Sequence, residues 1–131
     1  MTVLVTGGAG YTVKLLRARG RDVVVLDDLS TGHASLVVDA PLVVGRVQDG
    51  ELVARVVAAH GVEACIHFAA SKAAGESVSV PTEYFANNTC GALSLLHTLQ
   101  ASGVTRFVFS STAAVYGTPG ELPVPEGHEL H

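Results

Sequence analysis

The sequence is short of positive charge. Its 131 residues hold 8 Lys and Arg against 12 Asp and Glu, a formal net charge of −4 with histidine neutral, and the pI is near 5.8. A dedicated nucleic-acid binder is usually basic, so no nucleic-acid partner is expected. A phosphorylated small ligand stays open, because backbone N–H groups bind phosphate without lysines. Cysteine is scarce too. Cys65 and Cys90 stand 25 apart with no Cys-x-x-Cys spacing, which predicts two ordinary buried thiols in a reducing cytosol rather than a disulfide. A long hydrophobic run is also missing. No basic segment precedes the first apolar stretch, and glycine cuts that stretch at Gly7. This is neither a signal peptide nor a membrane span, so the expectation is a cytoplasmic chain with no membrane contact. There is no internal repeat, no low-complexity tract and no expected metal site.

What is present is a rich apolar content, 48% of residues, enough for a packed core in one small domain without metals or disulfides. Strand-like runs occur at Val3–Thr6, Val23–Asp27, Leu42–Gly45, Cys65–Ala69 and Arg106–Ser110. Four of them are nearly all apolar rather than alternating, as parallel strands covered on both faces are. Helical patterns lie between. Leu52, Val53, Val56 and Val57 share a face, with Glu51 and Arg55 opposite and Gly61 as a stop. A longer helix is predicted from Pro81 to Ser102, with Phe85, Thr89, Leu93, Leu96 and Leu99 as its buried stripe, Pro81 in its first turn and Gly103 at its end. Leu95, beside that stripe, makes the helix apolar around much of its circumference. Alternation of strand and helix with right-handed crossovers predicts an α/β fold, a doubly wound parallel sheet ordered 3-2-1-4-5. A short first helix over roughly Val13–Arg19 is expected. From Gly117 the run GTPGELPVPEGHELH carries three prolines and three glycines without a period. It reads as loop, so the division expected is a domain over 1–116 and an irregular tail over 117–131.

The stretch VLVTGGAGY places Gly7 and Gly10 directly after the first strand and before a helix. There, Gly7 permits a tight turn, Gly10 lets backbone approach a pyrophosphate, and the helix N-terminus adds partial positive charge. An ordinary strand-to-helix turn also uses glycine, so the second strand matters. It ends in Leu26-Asp27-Asp28, about twenty positions on, where a carboxylate accepts hydrogen bonds from an adenosine ribose. No arginine follows directly to hold a 2′-phosphate, which favours NAD over NADP. The place of the usual third glycine, three residues after Gly10, holds Val13.

The stretches LVTGGAGY, VVLDDLSTGH, CIHFAASKAAGESV, PTEYFANNTCGALSLL and FVFSSTAAVYG resemble, in order and almost throughout the chain, the UDP-glucose 4-epimerases of the extended short-chain dehydrogenase family. The run KAAGESV followed by PTEYFANN is closer to them than to sugar-nucleotide dehydratases. The resemblance implies a Rossmann-like NAD domain and interconversion of UDP-glucose and UDP-galactose, in galactose metabolism, by reversible oxidation at C4 of the sugar. By position, Gly7, Gly10 and Tyr11 would lie on the pyrophosphate turn, and Asp27 would hold the ribose with Asp28 beside it. Phe68, Ala69 and Ala70 would line the cofactor and Lys72 would reach its oxygens. Asn87 would contact the nicotinamide half, and Ser110 and Ser111 would flank the nicotinamide. Thr112 would hydrogen-bond the sugar 4-OH. The resemblance also implies a homodimer through the 81–102 helix.

Three departures qualify that expectation. The family's proton acceptor belongs to a Tyr-x-x-x-Lys motif, whose lysine lowers the phenol pKa. Here the residues four after Tyr11, Tyr84 and Tyr116 are Leu15, Asn88 and Gly120, and the lysines are Lys14 and Lys72 alone. The motif and the substrate domain are absent from these 131 residues, so the chain is expected to be an N-terminal part, inactive as it stands. Second, the family's turn continues as roughly Ile-Gly-Ser-His after Tyr11; the simplest alignment deletes those four residues. Third, Arg46 stands where the family usually has an Asp near the adenine. A non-catalytic dinucleotide-binding module, and the first half of a dehydratase or reductase, therefore remain as alternatives.

Overall fold

The computed structural model describes residues 1–8 and 10–130. Five parallel strands form one sheet: β1 (Thr2–Thr6), β2 (Asp22–Asp27), β3 (Leu42–Val44), β4 (Val62–His67) and β5 (Arg106–Phe109), in the order β3-β2-β1-β4-β5. This is the doubly wound order expected from the apolar runs. β1 lies in the middle, with Val3, Leu4, Val5 and Thr6 all buried. Its continuous apolar run follows from cover on both faces. β4 begins at Val62, three residues before the apolar signal at Cys65, because the exposed Glu63 interrupts the run. Phe68–Ala70 lies beyond its end, and Ser110 lies beyond β5.

One face carries α1 (Tyr11–Ala18), which packs Val13 against Val3, Val5, Val23 and Val25. The other carries α2 (Gly50–His60) and α5 (Gly91–Ala101), whose Val53, Val56, Val57, Leu95 and Leu99 bury Leu4, Val24, Leu26 and Cys65. Helix α2 follows its signals closely. Asp49 caps it by accepting from the Leu52 N–H at 2.9 Å, and Gly61 ends it at φ 58°. Between β4 and α5 lie α3 (Ala74–Ser79) and α4 (Pro81–Tyr84). Burial raises the Cys65 thiol to about 12, so it stays protonated. Cys90 is also a free thiol but is exposed, against the expectation of two buried ones.

The segment expected as one helix over 81–102 is interrupted. Between α4 and α5, Phe85–Cys90 form a π-helical turn. Its i→i+5 bonding widens the helix by about a residue, which re-phases the stripe counted at the α-helical period. The inward residues become Asn87 and Asn88, then Gly91, Leu95 and Leu99. Phe85 and Leu93, expected in the core, are 66% and 67% exposed, Leu96 is 41% exposed, and Thr89 is exposed too. Leu96 borders a shallow groove of about 320 Å³, lined also by Leu99, Gln100, Val104, Thr105 and Phe107. On β5, Val108 and Phe109 are also exposed.

Beyond β5, a 3₁₀ turn spans Ala113–Tyr116. Residues 117–130 hold neither helix nor strand; they turn back so that His128 meets the Tyr116 ring edge-on at 6.0 Å. No helix among the described residues is long and apolar enough to cross a membrane.

The re-phased helix makes a direct prediction. Leu95→Ala should cost about 2–5 kcal/mol by emptying a core site, whereas Leu93→Ala should stay within about 0.5 kcal/mol. Urea unfolding of both variants checks this, and equal losses would return Leu93 to the core.

Candidate functional site

The carboxyl ends of β1, β2, β4 and β5 converge on one edge of the sheet, and the exit loops of β1 and β4 press together there. Gly7 is buried at φ 64°, and its N–H donates to the Leu26 carbonyl at 2.9 Å. A Cβ on Gly7 would lie 2.6 Å from both Cα and N of Ala69; one on Gly8, at φ 65°, would lie 3.1 Å from the Phe68 side chain. Gly7 thus excludes a side chain by packing and by backbone angle, and Gly8 disfavours one by its angle and a tight contact. Phe68 N–H donates to the Thr6 carbonyl at 2.7 Å and joins the two loops.

Gly10 differs. It precedes α1 at φ 154°, makes no side-chain cap, and a Cβ there would meet nothing within 4 Å. The open space beside it adjoins the first turn of α1, whose leading N–H groups have no acceptor within the helix. Tyr11 is exposed at the start of that turn. Ala9 lies outside the described residues. Val13, in the place counted for a third glycine, is a fully buried core residue that packs α1 on the sheet. Helix α1 begins two residues earlier than expected, immediately after Gly10, so the shortened crossover still delivers a helix N-terminus to the turn.

At the end of β2, Asp27 Oδ1 accepts the Leu29 N–H at 2.8 Å. Gly32 passes close by, at 3.5 Å from a built Cβ to the same oxygen. Among the described residues Oδ2 has no such donor. Asp28 is held differently. Its Oδ1 accepts the Ser30 N–H at 3.0 Å and its Oδ2 faces Arg46 Nε at 3.4 Å. Hydrogen bonds from Ser30, and then the Arg46 charge, keep its carboxyl below the ordinary value against the opposing effect of burial. Arg46 is thereby paired with the residue that follows β2.

After β4, Ala69 is half-buried, while Ala70 and Lys72 are exposed. Phe68 is half-buried and packs on the α1-side cluster. Asn87 does not stand free. Its Nδ2 donates to Ser71 Oγ at 3.0 Å and to Asn88 Oδ1 at 3.1 Å, and its Oδ1 accepts from Gln48 Nε2 at 3.1 Å. Asn88 grips the Ser71 backbone, accepting its N–H and donating to its carbonyl, both at 2.8 Å. Gln48, Ser71 and Asn88 were missed at the level of sequence; adjacent asparagines inside an apolar helical pattern were the available signal.

After β5, Ser110 N–H donates to the His67 carbonyl at 3.0 Å. Ser110, Ser111 and Thr112 are exposed. Thr112 Oγ1 accepts the Ala114 N–H at 3.2 Å and caps the 3₁₀ turn, which leaves its hydroxyl proton to donate. His67 was also missed. It is buried, with Nδ1 2.6 Å from Thr6 Oγ1 and its ring within 6.0 Å of Phe107 and Phe109. Tyr84 is unsuited to be a base, because its hydroxyl donates to Glu76 Oε2 at 2.6 Å and that bond raises its pKa.

A glycine turn against a strand-end loop, a strand-end carboxylate on the next strand and a helix N-terminus make a cradle for a dinucleotide at the point where strand order reverses. The family model described as the NAD dependent epimerase/dehydratase family matches residues 3–131. The chain belongs to this family. It is similar to the UDP-glucose 4-epimerases of Halalkalibacterium halodurans (43% identical over 130 residues; 96% of this chain, 39% of that protein) and Corynebacterium glutamicum (45% over 131 residues; 96% and 39%). Among solved structures, the UDP-glucose 4-epimerase of Brucella ovis in complex with NAD superposes with a TM-score of 0.87 at 41% identity, over 99% of this chain and 41% of that one. That of Bifidobacterium longum in complex with NAD+ and UDP gives 0.86 at 38%, over 100% and 43%. The chain spans about 40% of the length of the curated relatives it matches, their N-terminal part.

For this family member, the buried His67 sets a pH dependence of stability. Burial lowers its pKa in the folded state from 6.5, so the unfolded chain binds the proton more readily. The stability tied to neutral His67 is complete above pH 6.5 and is lost as pH falls from there through the folded value. His67→Gln should flatten this acid limb of the unfolding free energy between neutral and mildly acid pH. An unchanged slope would show that other groups carry it.

Proposed function

We propose that this chain is the NAD-binding part of a UDP-glucose 4-epimerase, with residues 1–116 as the binding unit and 117–131 as a tail. The observation that carries the reading is Asp27, with one carboxylate oxygen tied to Leu29 and the other available, beside a glycine turn open at Gly10. These residues fit a dinucleotide. Asp27 accepts the ribose hydroxyls, while Gly7, Gly10, Tyr11 and the first turn of α1 receive the pyrophosphate. Asp28 fixes Arg46 at the adenosine side. Phe68, Ala69 and Ala70 line the cleft, Lys72 reaches the cofactor oxygens, Asn87 meets the nicotinamide half, and Ser110 and Ser111 flank it. Bound NAD supplies hydride transfer to and from sugar C4. Thr112 donates to or accepts from the sugar 4-OH and orients it.

The proton on that hydroxyl has no acceptor in these 131 residues, since no Tyr-x-x-x-Lys is present and Tyr84 is tuned the wrong way. The chain alone is therefore read as binding without turnover; general-base catalysis contributes about 10²–10⁴ in rate. A second reading, for these 131 residues taken by themselves, is a non-catalytic dinucleotide-binding module. A cytoplasmic location and galactose metabolism follow from the epimerase reading.

The exposed face of Phe85, Leu93 and Leu96 supports a homodimer through the 81–102 segment. Light scattering at tens of micromolar should show self-association, and Leu93→Glu should shift it toward monomer. A wild-type monomer would refute this.

Calorimetric titration tests the functional reading. NAD should bind weakly, and Asp27→Ala should abolish measurable heat. Inserting Ile-Gly-Ser-His between Tyr11 and Thr12 should tighten binding by about 10²–10⁴-fold, the worth of two charge-assisted hydrogen bonds of about 1.5–3 kcal/mol each. No heat from wild type at millimolar NAD would overturn the reading.

A further inference from the structure

A dinucleotide on a doubly wound sheet straddles the switch point, with its adenosine half toward β2 and its second half toward the other strands. The corner formed by Ser71 and Asn87 stands on that second side, just past the end of β4. It is built from neutral amides and a hydroxyl, a chemistry suited to hydroxyl and carboxamide groups rather than to phosphate. The π-turn allows it: with a wider turn, the adjacent residues Asn87 and Asn88 both engage Ser71. Such turns recur at functional sites.

One member of the network comes from a segment 39 residues away in sequence. Gln48 belongs to the β3–α2 connection, two residues from Arg46 on the adenosine side, yet its amide reaches Asn87 Oδ1 at 3.1 Å. It is closely seated: a Cβ on Gly91 would lie 2.9 Å from its Nε2. Its backbone is fixed separately, since Ser94 Oγ donates to the Gln48 carbonyl at 3.2 Å, Asp49 N–H donates to the Arg46 carbonyl, and Asp49 caps α2. The side chain can therefore be changed while the connection stays in place.

We propose that Gln48 is a positioning residue, which fixes the Asn87–Ser71 corner for the nicotinamide half of the dinucleotide. The proposal rests on the NAD reading above. With Gln48 in place, Asn87 Oδ1 is occupied and its Nδ2 is directed to Ser71, so the corner has one hydrogen-bonding polarity before any ligand arrives. Without it, Asn87 Oδ1 loses its donor and only the Nδ2 bonds to Ser71 and Asn88 hold the amide, so the second half of the ligand meets a less firmly held corner while the adenosine half meets an unchanged one.

The experiment is calorimetric titration of NAD and, separately, ADP into the wild-type chain, Gln48→Met and Ser71→Ala, with thermal melts of all three. ADP carries the adenosine and pyrophosphate but lacks the second nucleoside. The expected result is that both variants lose about 3–10-fold in NAD affinity, the worth of one neutral hydrogen bond, while ADP affinity stays within about twofold. Equal losses for NAD and ADP, or no loss for either, would overturn the proposal. If Gln48→Met does not melt cooperatively, Ser71→Ala reads the same network from its other end; failure of both to fold would make the network a purely structural clamp and refute positioning. A wild-type chain that binds ADP but not NAD refutes this proposal and leaves the adenosine side standing, whereas one that binds neither overturns the NAD reading itself.

Discussion

The close approach of Gly7 to Ala69 governs the rest of the site. At 2.6 Å from a built Cβ to backbone atoms, no side chain can stand between the exits of β1 and β4. The approach follows from the register that pairs Thr6 with His67. The same register brings the Thr6 hydroxyl to the His67 ring and lets Phe68 continue the ladder to the Thr6 carbonyl. With the two exits locked, the glycine turn, the Phe68–Ala70 loop and, through the His67 carbonyl, Ser110 share one frame. The shortened α1 depends on that frame as well, because Val13 docks on the β1 and β2 valines and holds the helix start at Gly10.

Most of the fold was legible because a doubly covered parallel sheet writes itself as uninterrupted apolar runs. β1 and β2 are such runs, and α2 carries a one-sided pattern with a glycine stop. Legibility failed where the inward face is polar. In the 81–102 segment, Asn87 and Asn88 turn inward to hold Ser71, Asn87 by its hydroxyl and Asn88 by its backbone, so the leucine and phenylalanine pattern pointed to the wrong side, and Cys90 went with it. Periodicity reports burial of apolar groups only; it is blind to a face that is buried by hydrogen bonding. Val13 is the converse case. Counted from Gly10 it occupied a glycine's place, but three-dimensionally it is a core side chain.

In the candidate site, Asp27 and the glycine turn could be read because each follows from where a strand ends. Gln48, Ser71, Asn88 and His67 could not. Their roles come from pairings between segments up to 61 residues apart, and no local spacing encodes them. Arg46 stood out only as an oddity, and its pairing with Asp28 gives it a partner within the chain.

The sheet tapers. Its inner strands run five or six residues, whereas the rims are three residues at β3 and four at β5. A rim offers unpaired amide and carbonyl groups to any passing extended peptide, and the tendency to recruit one grows with the length of straight edge on show. The exposed Val108 and Phe109 make β5 the stickier rim. Arg106 opens it and a capped turn closes it three residues past its end, so a visiting strand finds only one or two hydrogen-bonding pairs before the template runs out. Brevity at both described rims limits the length of edge that an added strand could pair with.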